Sequence, residues 1–272
     1  MNNPLKFKNI EPFGPEKRKQ IESPELTEGM KKLTAFLEST AKSMRAEGVP
    51  VKSDCRIDLE AFQNCYPAEV LSRDRQRIAK IQKEWREEAL EKEKVGERLE
   101  MLKTAVFNKF LEQKFIVVRT NLADDIDNGV DNIIMEKQTG NVVCAFDDVA
   151  DISGPIYQDK MAKTSEKNLL RSGAHLKYGL GIDTKTKKIT PQPLQHIPIF
   201  YLALPGQYIE ETIKQFQPQL KNQQETKLFS YFISSIQTQL KALDLKISAL
   251  PQEMREKIET FDRAIQKYSL KA

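Results

Sequence analysis

The chain has 272 residues, of which 39% are hydrophobic and 30% are charged, so it can bury a sizeable core although it carries more charge than an average globular domain. Its 43 lysines and arginines against 39 acidic residues give a net charge of +4, too small to indicate a polyanionic partner for the whole molecule. Three cysteines without CxxC spacing and two histidines argue against a zinc site and a disulfide framework. With no apolar signal core and no run of about 20 apolar residues, we expect a protein of the reducing cytoplasm without membrane association.

The first third of the chain is predicted to be helical after an irregular arm. Residues 1–25 contain four prolines among polar residues, which favours an irregular N-terminal arm. Apolar residues recur at helical spacing from residue 26 to residue 46, and Gly48 and Pro50 end the pattern. A second stripe begins after Pro67 and continues to Phe110, which predicts a helix about 65 Å long at roughly 1.5 Å per residue. We expect residues 26–94 to form a helical extension, in which this long helix bends or projects as one arm of a coiled coil.

The C-terminal region repeats the helical pattern. Apolar residues at helical spacing run from Leu228 to Ile247, Pro251 interrupts them, and a final stripe ends near Ile265. We expect residues 207–272 to form a helical hairpin that packs on the N-terminal helices. Self-association through the same stripes as a homodimer, or binding of a protein partner, is the alternative.

Three strands are predicted between the helical regions. The apolar runs at residues 115–119, 130–135 and 141–146 are rich in valine and isoleucine and are separated by acidic or glycine-containing turns. A turn at residues 138–140 makes the second and third runs a hairpin. A helix at about residues 157–172 and a strand at residues 197–204 follow.

The carboxylates of this hairpin favour a divalent metal. Asp131 lies inside the second predicted strand and Asp147 and Asp148 close the third, where a carboxylate needs a partner. Folding the hairpin about Thr139 and Gly140 puts Asp148 roughly opposite Asp131, and either Asp147 or Asp148 comes close to it. Such oxygen ligands suit Mg²⁺ or Mn²⁺, which polarise phosphates and lower the pKa of water. The acidic stretch at residues 124–129 fits an EF-hand in no frame and is interpreted as a solvated turn.

In this order of elements, residues 129–134 (GVDNII) and 142–149 (VVCAFDDV) resemble the second and third motifs of the PD-(D/E)xK nuclease superfamily. The resemblance covers roughly residues 95–206 and implies a restriction-endonuclease-like αβββαβ core of the α/β class. It further implies a Mg²⁺- or Mn²⁺-dependent nuclease acting on DNA, in which Asp131 and Asp147 bind the metal, with Asp148 as the alternative to Asp147. A glutamate of the preceding helix, Glu97 or Glu100, would assist.

One departure from the family pattern leaves the activity open. Where the family carries a lysine two residues after the acidic residue, this chain has Val149 or Ala150. Some relatives supply the lysine from the next helix, so Lys160 or Lys163 would orient the attacking water, and Lys167 continues the same face. If none of them does so, they form a solvated basic face. Two alternatives therefore remain, an inactive member of the fold that serves as a binding or scaffold module through its helices, and an unrelated α+β sheet with acidic turns.

Overall fold

The computed structural model describes residues 23–88, 91–183 and 185–268 of a mixed α/β protein. The predicted arm at residues 1–25 lies almost wholly outside the described residues. Within these residues the α-helices are α1 (Pro24–Ala46), α2 (Ala68–Glu88), α3 (Glu91–Leu111), α4 (Leu122–Asn128), α5 (Gly154–Leu170), α6 (Gly206–Lys214), α7 (Gln223–Asp244) and α8 (Gln252–Ile265). None of the described helices combines the length and the apolar character that crossing a membrane requires.

Six strands form two sheets in the described part of the chain. They are β1 (Phe115–Arg119), β2 (Asn132–Glu136), β3 (Val142–Val149), β4 (Ala174–Ile182), β5 (Ile189–Ile197) and β6 (Ile199–Ala203). The larger sheet has the order β1-β2-β3-β6, in which the first three strands are antiparallel neighbours and β6 runs parallel to β3. Strands β4 and β5 pair separately as an antiparallel hairpin. Helices cover the larger sheet, which is why its strands are nearly continuous apolar runs in the sequence.

The register between β2 and β3 decides which acidic residues face each other. The turn spans residues 137–140, because the N–H of Glu136 donates to the carbonyl of Asn141, and it is centred one residue earlier than the sequence suggested. An irregularity between Ile134 and Met135 then adds one extra residue to β3. Because β2 begins at Asn132, Asp131 precedes the strand rather than lying inside it. If the β2–β3 pairing is continued by one residue, Asp131 lies opposite Asp147, and not opposite Asp148 as predicted.

Helix α3 packs at the centre of the fold. Apart from Phe110, its residues 98–111 are buried, and the helix contacts β1, β3, α1, α6 and α7. Phe107 meets Phe146 of β3 at 5.4 Å between ring centroids and Phe232 of α7 at 5.7 Å. The second half of the predicted long helix is therefore a core helix rather than an arm. Residues 89 and 90, where the prediction joined the two halves, lie outside the described residues.

The C-terminal helices pack mainly on the β-strands and less on the N-terminal helices. Helix α6 packs on α1 and α3, whereas α7 lies on β6 and α8 on β3 and β5. The hydroxyl of Tyr231 in α7 donates to the carbonyl of Ala203 over 2.9 Å. Phe261 of α8 packs against the rings of Phe115 and Phe200. The predicted packing on the N-terminal helices is thus observed between α6 and α1, while α7 and α8 cover the β-strands.

Candidate functional site

Three carboxylates meet where the larger sheet, α3 and α4 come together. Glu100 lies on α3, Asp125 on α4, and Asp131 immediately before β2. One oxygen of each carboxylate lies within 4.8 Å of the others. Hard oxygen donors at this spacing are the ligands that Mg²⁺ and Mn²⁺ prefer. We refer to Glu100, Asp125 and Asp131 as the acidic triad.

Asp131 is held in place by main-chain hydrogen bonds. Its N–H donates to the carbonyl of Phe146 over 2.8 Å, and its own carbonyl accepts the N–H of Thr120 over 2.9 Å. The N–H of Asp148 donates to Oδ2 of Asp131 over 2.5 Å. The backbone of Asp131 is therefore fixed between β3 and the residue after β1, and its carboxylate is held by the main chain of β3.

Glu100 is kept charged by two buried arginines. Nη2 of Arg56 lies 2.9 Å from Oε2 of Glu100, and Arg119 donates to the same oxygen. Burial opposes the ionisation of Glu100, but the two guanidinium groups outweigh it and lower the pKa. Arg56 reaches this position because its backbone bridges to Arg119 of β1, and its Nη1 donates to the carbonyl of Thr120 over 3.1 Å. Arg119 also donates to Asp54 over 3.0 Å.

Asp125 has a raised pKa because it is partly buried next to the other two acids. Burial is the largest cause, the charges of Asp131 and Glu100 follow, and the pKa rises to about 9. Arg56 lies 3.7 Å away and opposes this rise without cancelling it. Near neutral pH the Asp125 carboxyl therefore keeps its proton and hydrogen-bonds to Asp131. A divalent cation would replace that proton.

Helix α4 uses its other acidic residues to anchor Asp125. Asp124 accepts two consecutive N–H groups of β4 over 2.7 and 2.8 Å. Asp127 pairs with Arg77 of α2 at 2.6 Å. The helix is therefore attached to the β4–β5 hairpin on one side and to α2 on another, and the position of Asp125 follows from both attachments.

Asp147 is held by two lysines of α5. Lys160 donates to Oδ1 of Asp147, and Nζ of Lys167 lies 3.8 Å from its Oδ2. Burial raises the pKa of Asp147, the charge of Asp131 adds to the rise, and Lys160 opposes it. Lys167 also donates to the carbonyl of Gly129 over 3.2 Å. A Cβ at Gly129 would lie 3.1 Å from that ammonium, and the φ of +51° is a left-handed value, so glycine suits both the backbone and the space.

Asp148 faces α3, because consecutive residues of a strand point to opposite faces. Nζ of Lys103, which is fully buried, lies 2.5 Å from its Oδ1. Burial raises the pKa of Asp148 to about 7; Lys103 opposes the rise and Asp131 adds to it. Within the described part of the chain, Oδ2 of Asp148 is buried without a hydrogen-bond partner. An orphaned buried carboxylate oxygen next to the carboxylates of Asp131 and Glu100 fits a bound cation or its water, so the residues present suit Mg²⁺ or Mn²⁺.

The predicted site residues separate into two groups. Those that the structure brings together are Glu100, Asp131, Asp147, Asp148 and Lys160. The side chain of Glu97 is 66% exposed and lies 3.8 Å from Arg119, at the rim. Lys163 pairs with Asp159 at 2.7 Å, with both side chains mostly exposed, and is not brought to the cluster. Of the three predicted metal ligands, only Asp131 belongs to the acidic triad.

Sequence reasoning missed Asp125, Arg56, Arg119 and Lys103. The interpretation of residues 124–129 as a solvated turn is wrong for Asp125, because residues 122–128 form α4. Asn121, whose side chain caps the helix, and Gly129, which ends it, are signals that could have predicted this helix. No signal of this kind links Arg56 to a glutamate 44 residues away.

Replacing Asp125 by asparagine is expected to stabilise the metal-free protein at pH 8.5 while removing its response to Mn²⁺. Between the ordinary carboxyl pKa of 3.8 and the folded value of about 9, the folded chain holds a proton that the unfolded chain lacks, so stability falls as pH rises through this window. Asparagine keeps the neutral form at every pH. We expect Tm to rise by about 2–4 °C at pH 8.5 and to be unchanged at pH 3.5.

The measurement is thermal unfolding with EDTA and with Mn²⁺ at both pH values. Asp159→Asn is the matched control, because Asp159 pairs with Lys163 on the exposed side of α5. An Asp125→Asn protein that Mn²⁺ stabilises as much as the parent would contradict the role of Asp125 as a ligand.

Five carboxylates and five basic side chains gather at this end of the larger sheet. They are Glu100, Asp125, Asp131, Asp147 and Asp148, with Arg56, Lys103, Arg119, Lys160 and Lys167. Comparison of the chain with protein-family models, with curated proteins and with solved structures finds no match. The function is therefore inferred from the cluster itself.

Proposed function

We propose that this protein is a metal-dependent nuclease that hydrolyses phosphodiester bonds of DNA on a restriction-endonuclease-like core. The order of α3, β1, β2, β3, α5 and β6, with β6 parallel to β3, supports an αβββαβ core into which the β4–β5 hairpin is inserted. The observation that carries the proposal is the acidic triad beside a lysine-bound aspartate. The acidic triad and the lysines that hold Asp147 lie near the C-terminal end of β3, which is where the resemblance to the nuclease superfamily predicts the active site.

Glu100, Asp125 and Asp131 would hold Mg²⁺ or Mn²⁺. When bound, such an ion polarises a phosphate oxygen and lowers the pKa of a coordinated water. The chain itself contributes rigidity: Asp131 is fixed by main-chain bonds, and Glu100 by Arg56 and Arg119. Preorganised ligands of this kind lower the cost of arranging the site during the reaction.

Lys160 and Asp147 supply the remaining groups for hydrolysis. Although burial disfavours its charge, Lys160 is surrounded by Asp147, Asp131 and Asp148, which together raise its pKa. It therefore stays an ammonium at neutral pH and can donate a hydrogen bond to an attacking water or to a phosphate oxygen. Asp147, whose pKa is raised, is a better proton acceptor than an ordinary aspartate and lies next to that position. This pair takes the place of the motif lysine that positions 149 and 150 lack.

A second candidate function is a binding or scaffold module with an inactive site. The specific observation in its favour is that carboxylates of the cluster already have basic partners, because Glu100 binds two guanidinium groups and Asp147 binds an ammonium. In this case the long helices would bind a protein partner or a second copy of the chain. A metal titration separates the two candidates, because a site that needs no metal gains no stability from Mn²⁺.

The test of the proposed function is cleavage of linear, nicked and branched DNA with Mg²⁺ or Mn²⁺. We expect Asp131→Asn and Asp147→Asn to lose cleavage by at least about 10²-fold, and Asp131→Asn also to lose stabilisation by Mn²⁺. Asp159→Asn keeps both. Equal cleavage by all four proteins would contradict the assignment of these residues. No cleavage and no Mn²⁺ response in the parent chain would favour the scaffold.

A further inference from the structure

The end of the larger sheet opposite the cluster is formed by two turns that pack together. One is the β2–β3 turn at residues 137–140 and the other is the β4–β5 turn at residues 183–188, of which residue 184 is not described. A Cβ placed on Gly140 would lie 2.6 Å from the Cβ of Ile182, so the absence of a side chain lets the two turns touch. The N–H of Lys137 also donates to the carbonyl of Lys114, which brings the segment before β1 to the same end.

Five exposed lysines share this end of the molecule, which we call the basic end. They are Lys114, Lys137, Lys185, Lys187 and Lys188. Three acidic residues beside them have other partners. Glu112 lies 3.9 Å from Lys221, Glu136 accepts the hydroxyl of Thr139 over 2.7 Å, and Asp183 accepts the N–H groups of two residues in its own turn. In the described residues, no carboxylate lies within ion-pair distance of any of these lysines.

The exposed basic residues near the cluster differ from this pattern. Lys163 pairs with Asp159, Arg171 with Glu166, and Arg77 with Asp127, each at 2.6 or 2.7 Å. The exposed basic residues near the cluster are therefore in ion pairs, whereas the five lysines of the basic end outnumber the carboxylates beside them and leave a net positive charge for an external partner. Exposed lysines without carboxylate partners are the groups that neutralise phosphates and release counterions.

Hydrogen bonds within the β4–β5 turn hold the backbone of its lysines in a fixed geometry. Oδ1 of Asp183 accepts the N–H of Lys185 over 2.7 Å, and the N–H of Lys187 donates to the carbonyl of Asp183 over 2.8 Å. Lys187 itself has a φ of +56°, a left-handed value that tightens the turn. A turn held by its own hydrogen bonds loses little conformational entropy when it binds, which favours contact with a regular polyanion.

We propose that the basic end binds the phosphate backbone of duplex DNA at a distance from the acidic triad. Seven steps along β3, at roughly 3.3 Å each, separate Val142 at the basic end from Val149 beside the cluster, which is about 23 Å. At about 3.4 Å per base pair this equals roughly seven base pairs of duplex. The contribution of the basic end to cleavage rests on the proposed nuclease function, while its binding of DNA does not. The phosphate contacts set position along the duplex and carry no base sequence.

The binding test uses the full chain in EDTA with a labelled 30-base-pair duplex at several salt concentrations. The variant is the triple substitution Lys185→Gln, Lys187→Gln and Lys188→Gln. Its matched control removes the same charge elsewhere, from the exposed residues Lys227, Lys241 and Lys246. We expect the variant to weaken binding at least about 10-fold and to reduce the slope of log K against log salt by about 2 to 3, and the control to change neither.

The cleavage test separates failure of this proposal from failure of the nuclease function. With Mn²⁺, the triple variant should raise KM without changing kcat on the long duplex, and should have no effect on a duplex too short to reach from the triad to the basic end. Salt-dependent binding in EDTA that the triple variant weakens and the control does not, together with no cleavage by any protein, would support the basic end and refute the nuclease.

Three results would overturn the proposal. In the first, the parent chain does not bind DNA. In the second, the variant and the control have the same slope of log K against log salt. In the third, the variant loses binding to anionic vesicles but keeps its binding to DNA. In each case the basic end would not be a DNA-binding surface.

Discussion

Replacement of Arg119 by methionine is expected to lower the free energy of unfolding by about 3–5 kcal/mol, because it leaves a buried carboxylate without one of its two counter-charges. Arg119 is fully buried and donates to Glu100 and Asp54. Methionine fills most of the space but cannot make these bonds. Chemical denaturation at pH 7 measures the loss.

Two further proteins make this result interpretable. In the double variant Arg119→Met and Glu100→Gln, Glu100 no longer carries a charge, but the buried Arg56 loses the carboxylate that it binds, so the lost stability should not return. Arg75→Met is the matched control, because Arg75 pairs with Glu60 at the surface with both side chains more than 40% exposed, and its loss should hardly change stability. A loss below about 1 kcal/mol for Arg119→Met would show that Arg56 alone is enough to balance Glu100.

Replacement of Lys160 by methionine is expected to reduce kcat for DNA cleavage by about 10²–10³-fold. The reason is that Lys160 is the ammonium bound to Asp147, at the place where the proposal puts the attacking water or a phosphate oxygen. Lys167, 3.8 Å from Asp147, remains to limit the loss of stability. Single-turnover cleavage with Mn²⁺ measures the rate, and thermal unfolding checks that the variant is folded.

Lys163→Met provides the control on the same helix. Lys163 is three residues further along α5, carries the same charge and pairs with Asp159 at the surface. It should therefore retain the parent rate. Reduction of the rate by both variants to the same extent would mean that the net charge of α5 matters rather than the position of Lys160, and an unchanged rate for Lys160→Met would remove Lys160 from the reaction.

The sheet could be predicted from the sequence because its information is local. The runs that became β1, β2, β3 and β6 are short and apolar, the first three are rich in β-branched residues, and turn residues bound them. The register could not be predicted to the residue, because it depends on the length of the β2–β3 turn and on one extra residue in β3. Both are small differences in the backbone that amino-acid composition does not reveal. Together they place Asp147 rather than Asp148 opposite Asp131.

The arginines of the site and the packing of the helices could not be read from the sequence, because they depend on long-range contacts. The apolar stripe of α3 has the same spacing in a coiled-coil arm as in a core helix, and only burial on all sides separates the two. An arginine in a connecting segment, such as Arg56, is usually exposed. Arg56 becomes buried because its segment adds an isolated bridge to β1.

The position of Arg56 in the sequence limits which fragments of the chain can retain the complete site. Residues 95–206 contain the acidic triad and the larger sheet, and would be the natural fragment to produce by themselves. Such a fragment would lack the guanidinium that reaches Glu100 from residue 56, and its triad would carry one more uncompensated negative charge. The segment before α2 is in this sense part of the site, and shortened versions of the protein should begin ahead of it.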